Sequence, residues 1–119
     1  MKKFLKSKLK DMKNKIIHLD CTLRDGGYYN NWFFEKDLIN SYLVAMKQLK
    51  IDYVEIGFRT LKNDGFKGGF AYSTDQFLNN LDIPIGLINK IGVMINGSEI
   101  ADKKTQRDCL KRLFNPKSK

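Results

Sequence analysis

Short apolar runs alternate with amphipathic ones between residues 16 and 114, and that alternation restricts the fold more than any other feature. Ile16-Ile17-His18-Leu19-Asp20-Cys21-Thr22-Leu23 is apolar and β-branched and runs into Arg24-Asp25-Gly26-Gly27, which predicts a first strand ending in a glycine turn. Leu38, Tyr42, Met46 and Leu49 recur at helical spacing, with Glu35 and Asp37 early and Lys47 and Lys50 late, so Glu35 to Lys50 reads as an amphipathic helix suited to its dipole. Residues 51–58 predict a second strand, and Gly65, Gly68 and Gly69 a loop. Ser73-Thr74-Asp75-Gln76 fits a capping box for a helix that Pro84 stops. Ile91 to Ile95 is a third strand, and Thr105-x-x-Asp108 caps a last helix that Pro116 ends.

Strands alternating with helices imply parallel β-α units, because a parallel pair needs a crossover and a helix supplies it. Three such units form either a small open α/β sheet or part of a larger assembly, such as a barrel of eight strands and about 250 residues. A chain of 119 residues, 42% hydrophobic, buries one modest core.

The net charge of +9 sits at the ends. Residues 1–15 hold seven lysines and one aspartate, and residues 103–119 hold seven basic residues and one aspartate, which leaves residues 16–102 slightly acidic. Residues 1–15 read as a basic leader, solvated or weakly amphipathic, and 116–119 as a basic tail. Nucleic-acid binding lacks the coherent basic face that it needs. Cys21 and Cys109 are too far apart for a C-x-x-C pair, which argues against a zinc site or a disulfide framework and for a reducing cytoplasm. No apolar core of a signal peptide and no membrane-spanning run occurs in the sequence.

Chemistry concentrates in Asp20 to Gly27, three charged groups and two glycines at the end of a predicted strand. In a barrel of parallel strands that end is the catalytic rim. Along an extended strand Asp20, Thr22 and Arg24 share a face, and the turn redirects Asp25. A carboxylate there suits a hard divalent cation, and a guanidinium suits an enolate or carboxylate oxygen. The plainer reading is an Arg and an Asp that pair or cap the next loop. Gly65, Gly68 and Gly69 lack the spacing of a phosphate loop.

Asp20-Cys21-Thr22-Leu23-Arg24-Asp25-Gly26 resembles the opening signature of the metal-dependent lyases related to 3-hydroxy-3-methylglutaryl-CoA lyase, a superfamily that includes 4-hydroxy-2-oxovalerate aldolases and pyruvate carboxyltransferase domains. The likeness runs on through Gly27 to Trp32, Tyr53 to Phe58 and Gly92 to Asn96. It implies that residues 16–115 are the first three β-α units of a (β/α)8 TIM barrel, incomplete in this chain. It also implies that Arg24 steadies an enolate oxygen, that Asp25 ligates a divalent metal (Mg²⁺ or Mn²⁺), and that Glu55 lies near that metal or its water.

Two departures qualify the resemblance. Such aldolases often carry a catalytic His after the glycine turn, where this sequence has Tyr28, a candidate proton donor because phenols are poor bases at neutral pH. The His-x-His that completes the metal site is absent, and the one histidine, His18, reads as a strand residue. The expectation is an N-terminal fragment of a metal-dependent carbon–carbon lyase acting on a 2-oxo acid or acyl-CoA through an enolate. It should be inactive alone and completed by the remaining barrel half or another chain. The alternative is a non-catalytic interaction module that needs a partner chain.

Overall fold

The computed structural model describes residues 16–63 and 65–114, so the basic leader, the tail and Pro116 lie outside the described residues. Two strands, β1 (Leu19–Asp20) and β2 (Tyr53–Arg59), pair in parallel, and β3 (Ile91–Ile95) pairs in parallel on the far side of β2. Between β1 and β2 run α1 (Thr22–Asn30) and α2 (Lys36–Gln48). Between β2 and β3 lies α3 (Asp75–Asn79), flanked by 3₁₀ turns at Gly69–Ala71 and Ile85–Lys90, and α4 (Gln106–Leu113) follows β3. The result is the mixed α/β, parallel arrangement that alternation predicts. No helix among the described residues is long and apolar enough to cross a membrane.

The central position of β2 explains its composition. Val54 and Ile56 are fully buried, and they join Leu23, Trp32, Ile39, Leu43, Phe70 and Leu87 in one core. The core face of α2 is turned from the predicted stripe: Ile39 and Leu43 are buried, Tyr42 and Met46 flank them, and Leu38 and Leu49 are exposed. Apolar residues on both sides of that helix made its face ambiguous in the sequence.

The largest difference from the sequence reading is at the start. The strand predicted over residues 16–23 is only two residues long, and the predicted glycine turn is helix α1. Asp20 ends β1, its carboxylate accepts the Thr22 N–H at 3.0 Å, and this satisfies a free donor at the helix start. Asp20, Thr22 and Arg24 therefore do not share a strand face. Smaller shifts occur elsewhere. Thr74, not Ser73, caps α3 by accepting the Phe77 N–H at 3.1 Å, and α3 ends before Pro84. Thr105 precedes α4 without a side-chain cap.

A bulge in β2 sets which side each residue serves. Glu55 pairs with Gly92 and Gly57 with Val93, so Ile56 is the extra residue. Strict alternation would put Glu55 and Phe58 on opposite sides. With the bulge both face α1: Arg24 donates to Glu55, and its guanidinium carbon lies 5.9 Å from the centre of the Phe58 ring. Arg59 then points the other way. It is buried, donates to the Ser73 carbonyl at 2.7 Å, to Asp75 at 2.7 Å and to the Leu113 carbonyl at 3.3 Å, and so ties β2 to the ends of α3 and α4.

Gly57 follows the bulge because nothing larger fits: a Cβ there would overlap the Phe70 carbonyl oxygen. Gly57→Ala is expected to lower the unfolding free energy by about 1–3 kcal/mol. Gly97→Ala, where a Cβ meets open space, should stay within about 0.5 kcal/mol of wild type. Urea denaturation checks both, and equal midpoints for the two variants would contradict this packing.

Candidate functional site

Helix α1 contains two glycines and has little intrinsic reason to form. Tertiary contacts hold it. A Cβ on Gly27 would overlap the Trp32 indole, so the missing side chain there makes room for a ring and is not an approach for a ligand. Asn31 and Trp32 both take positive φ, 54° and 59°, a conformation that disfavours a bulky side chain by about 1 kcal/mol or more. Burial of the indole offsets this, as do the bonds from Trp32 Nε1 to the Arg24 carbonyl at 3.1 Å and from its N–H to Asn30 Oδ1 at 3.1 Å.

This wrapping presents Arg24 to the sheet. Its Nε donates to Glu55 Oε2 at 3.1 Å, with both side chains at least four-fifths buried, and its Nη1 pairs with the Asp25 carboxylate. Arg24 thus brings Asp25 and Glu55 together just past the end of β1, against the central strand β2. Asp25 keeps most of its carboxylate open to water, its side chain being 64% exposed. Desolvation works against the Arg24 charge, but Glu55, Cys21 and Asp25 together outweigh it and hold the guanidinium proton more tightly than usual.

Cys21 joins the same group. Desolvation pushes its thiol up, hydrogen bonding and repulsion from Glu55 push it further, and Arg24 opposes without prevailing. The thiol therefore stays protonated at neutral pH and is a poor nucleophile.

Asp20 forms a second polar group. Burial raises its carboxyl pKa, yet the Tyr42 hydroxyl, the Thr22 N–H and hydroxyl, and the nearby His18 together hold it below the usual carboxylate value. Tyr42 is pushed well above the usual phenol range by desolvation and by Asp20, so its hydroxyl remains a donor. The backbone of His18 is engaged at both groups: its N–H donates to Asp52 at 3.0 Å and its carbonyl accepts from the Tyr53 N–H. Tyr28 is 64% exposed and packs edge-on against Trp32 and Phe58, with ring centres 4.8 and 6.0 Å apart.

Sequence reasoning singled out Arg24, Asp25, Glu55 and Tyr28 but missed the parts played by Trp32, Tyr42, Cys21 and Phe58. Tyr42 was legible only as part of a helical stripe, and nothing local connects it to Asp20, 22 residues away. Among the described residues there is no group of three or more His, Cys, Asp or Glu side chains that could hold a metal ion.

No protein-family model matches the chain, and no curated protein matches it. Among solved structures, the crystal structure of the "N-terminal domain of a putative aldolase" from Bacteroides vulgatus superposes with a TM-score of 0.56 at 32% sequence identity. The match covers 82% of this chain and 33% of that one, so this chain spans about a third of the length of the structure it resembles. The likeness supports the α/β fold and is consistent with an aldolase-like relationship.

The depressed Asp20 carboxyl makes stability pH-dependent. A carboxylate whose folded-state pKa is lowered contributes fully above its unfolded value of about 3.9, and that contribution is lost as pH falls through the folded value. The stability advantage of wild type over Asp20→Asn should therefore hold near neutral pH and shrink in acid. Urea melts across that range check it, and a difference that does not change with pH would contradict the Asp20 assignment.

Proposed function

We propose that this chain supplies the opening β-α units of an aldolase-type carbon–carbon lyase of TIM-barrel architecture, related to the 3-hydroxy-3-methylglutaryl-CoA lyase-like enzymes. The observation that carries the reading is the joining of Asp25 and Glu55 through Arg24 just past the end of β1 in a parallel sheet, in segments whose sequence resembles that superfamily. The substrate class is a 2-oxo acid or an acyl-CoA.

In this reading Arg24 offsets the charge that develops on an enolate oxygen. A guanidinium fixed before the reaction needs little reorganisation when charge appears, which is the source of its catalytic value. Glu55 is a positioning residue, because it holds Nε and so orients the remaining N–H groups. Tyr28 is the candidate proton donor, its ring set by Trp32 and Phe58.

The described residues alone do not complete a divalent-metal site. Hard cations take six or more oxygens, and Asp25 and Glu55 share one guanidinium. Asp25 is the ligand this chain would contribute to Mg²⁺ or Mn²⁺, with Glu55 beside it and the other ligands from outside the described residues. A cation so bound supplies Lewis-acid polarisation of a carbonyl. The partner is the remaining barrel half or another chain, and the five-residue edge of β3, unpaired among the described residues, is where its strand would pair.

The test follows release of a 2-oxo acid from 4-hydroxy-2-oxo acids, with Mg²⁺ or Mn²⁺ present. This chain alone should show no appreciable cleavage. Expressed with the part of the Bacteroides vulgatus domain that it does not match, it should gain metal-dependent turnover. Asp25→Ala should remove that turnover, and Arg24→Ala should lower it by about 10²–10³. Arg24→Lys should restore little, since an ammonium lacks the planar fork. Full activity of the Asp25→Ala assembly, or robust turnover by the chain alone, would refute the reading.

A further inference from the structure

A cavity of about 260 Å³ lies beside the Arg24 group and shares Tyr28 and Phe58 with it, lined also by Trp32, Lys62 and Lys67. The three rings meet edge to face, Trp32 and Phe58 at 5.6 Å between centres, and form an apolar surface of which the Tyr28 ring is mostly uncovered. Exposed aromatic surface inside a concavity favours a planar apolar body, because such rings gain from edge and offset contacts beyond area burial.

Charge decides the rest. Lys67 Nζ lies 5.6 Å from the centre of the Trp32 ring, and neither Lys62 nor Lys67 has an ion-pair partner among the described residues. Glu99 also lines the cavity, but its carboxylate is engaged by the Thr60 hydroxyl, the Leu61 N–H at 3.2 Å and the Lys62 N–H at 3.4 Å. Among the described residues that line the cavity, two lysines stand against one carboxylate that is already engaged. A phosphate group is poorly served, since the neighbouring glycines are used in packing: a Cβ on Gly68 would overlap the Trp32 carbonyl, and one on Gly69 the Phe77 ring. The volume falls below that of pockets for drug-sized ligands, which hold roughly 300–1,000 Å³.

We propose that this cavity is a binding site for a small carboxylic acid with a planar apolar body, the body against Tyr28 and Phe58 and the carboxylate toward Lys62 and Lys67. The proposal adds a ligand class to the site that holds Tyr28 and in that respect rests on the lyase reading, but binding of the acid there requires no turnover.

Trp32 is the only tryptophan in the chain, so its fluorescence reports on the cavity. Titration of the full chain with 3-phenylpropionate should change that emission saturably, and saturation-transfer NMR should show the same ligand in contact. The neutral 3-phenylpropanamide should bind about tenfold more weakly, as should 3-phenylpropionate to the Lys62→Ala/Lys67→Ala variant, because a charged hydrogen bond is lost. Lys62→Arg/Lys67→Arg should retain binding, and circular dichroism confirms that both variants keep their fold. Equal affinity for acid and amide, or unchanged affinity in a folded Lys62→Ala/Lys67→Ala chain, would overturn the carboxylate assignment. A saturable signal in neither fluorescence nor NMR would overturn the site. Binding is read without turnover, so its failure and a failure of the lyase reading are told apart.

Discussion

The ion pair between Arg24 and Glu55 is the contact on which the arrangement at this end of the sheet depends. A guanidinium this far from water loses hydration, and only a well-placed carboxylate with further acceptors offsets the loss. Glu55 comes from the central strand and Arg24 from a helix with poor propensity, so the pair joins the most secure element to the least secure one. Once Arg24 is fixed, its carbonyl receives the Trp32 indole, Trp32 fills the gap at Gly27, and the chain turns through two left-handed residues into α2. Asp25, next to it in the chain, stays open to water.

Much of the sheet was legible in the sequence because its signals are local. β3 is a continuous apolar run and was read at its true ends, Ile91–Ile95. β2 was read within two residues, since Val54 and Ile56 must be buried whatever surrounds them. The first segment was misread for the opposite reason. Residues 22–30 are helical through contacts with Glu55 and Trp32, and β-branching and paired glycines locally argue for strand and turn. Of the candidate site, Arg24, Asp25 and Glu55 stood out as charged residues beside apolar runs, whereas the contacts that join them through Arg24 cross from α1 to β2 and have no local signal. The aromatic part could not, because the bulge at Ile56 decides where Phe58 points.

Two buried or nearly buried arginines divide the labour of holding β2 in place. Arg24 reaches it from α1, and Arg59 reaches from it to Ser73, Asp75 and Leu113. Arg59 also lies 5.3 Å from the centre of the Phe114 ring, so its charge is covered by an aromatic face where α4 ends. All three of its guanidinium nitrogens are bonded within the fold, which makes it a structural counterpart to Arg24, whose neighbour Asp25 still faces water.

The extra residue in β2 also acts as a key against slippage. A parallel strand pairs with its neighbours through evenly spaced bonds, and uniform runs such as Ile91 to Ile95 offer little to distinguish one alignment from the next. With Ile56 inserted, a shift of β2 by one position would send Arg59 among the rings of Tyr28 and Trp32 and turn Phe58 toward Ser73 and Asp75. Both exchanges strand a cation or waste an aromatic face. The bulge therefore makes wrong alignments costly on both sides of the sheet at once, and gives a short strand a single place to stop.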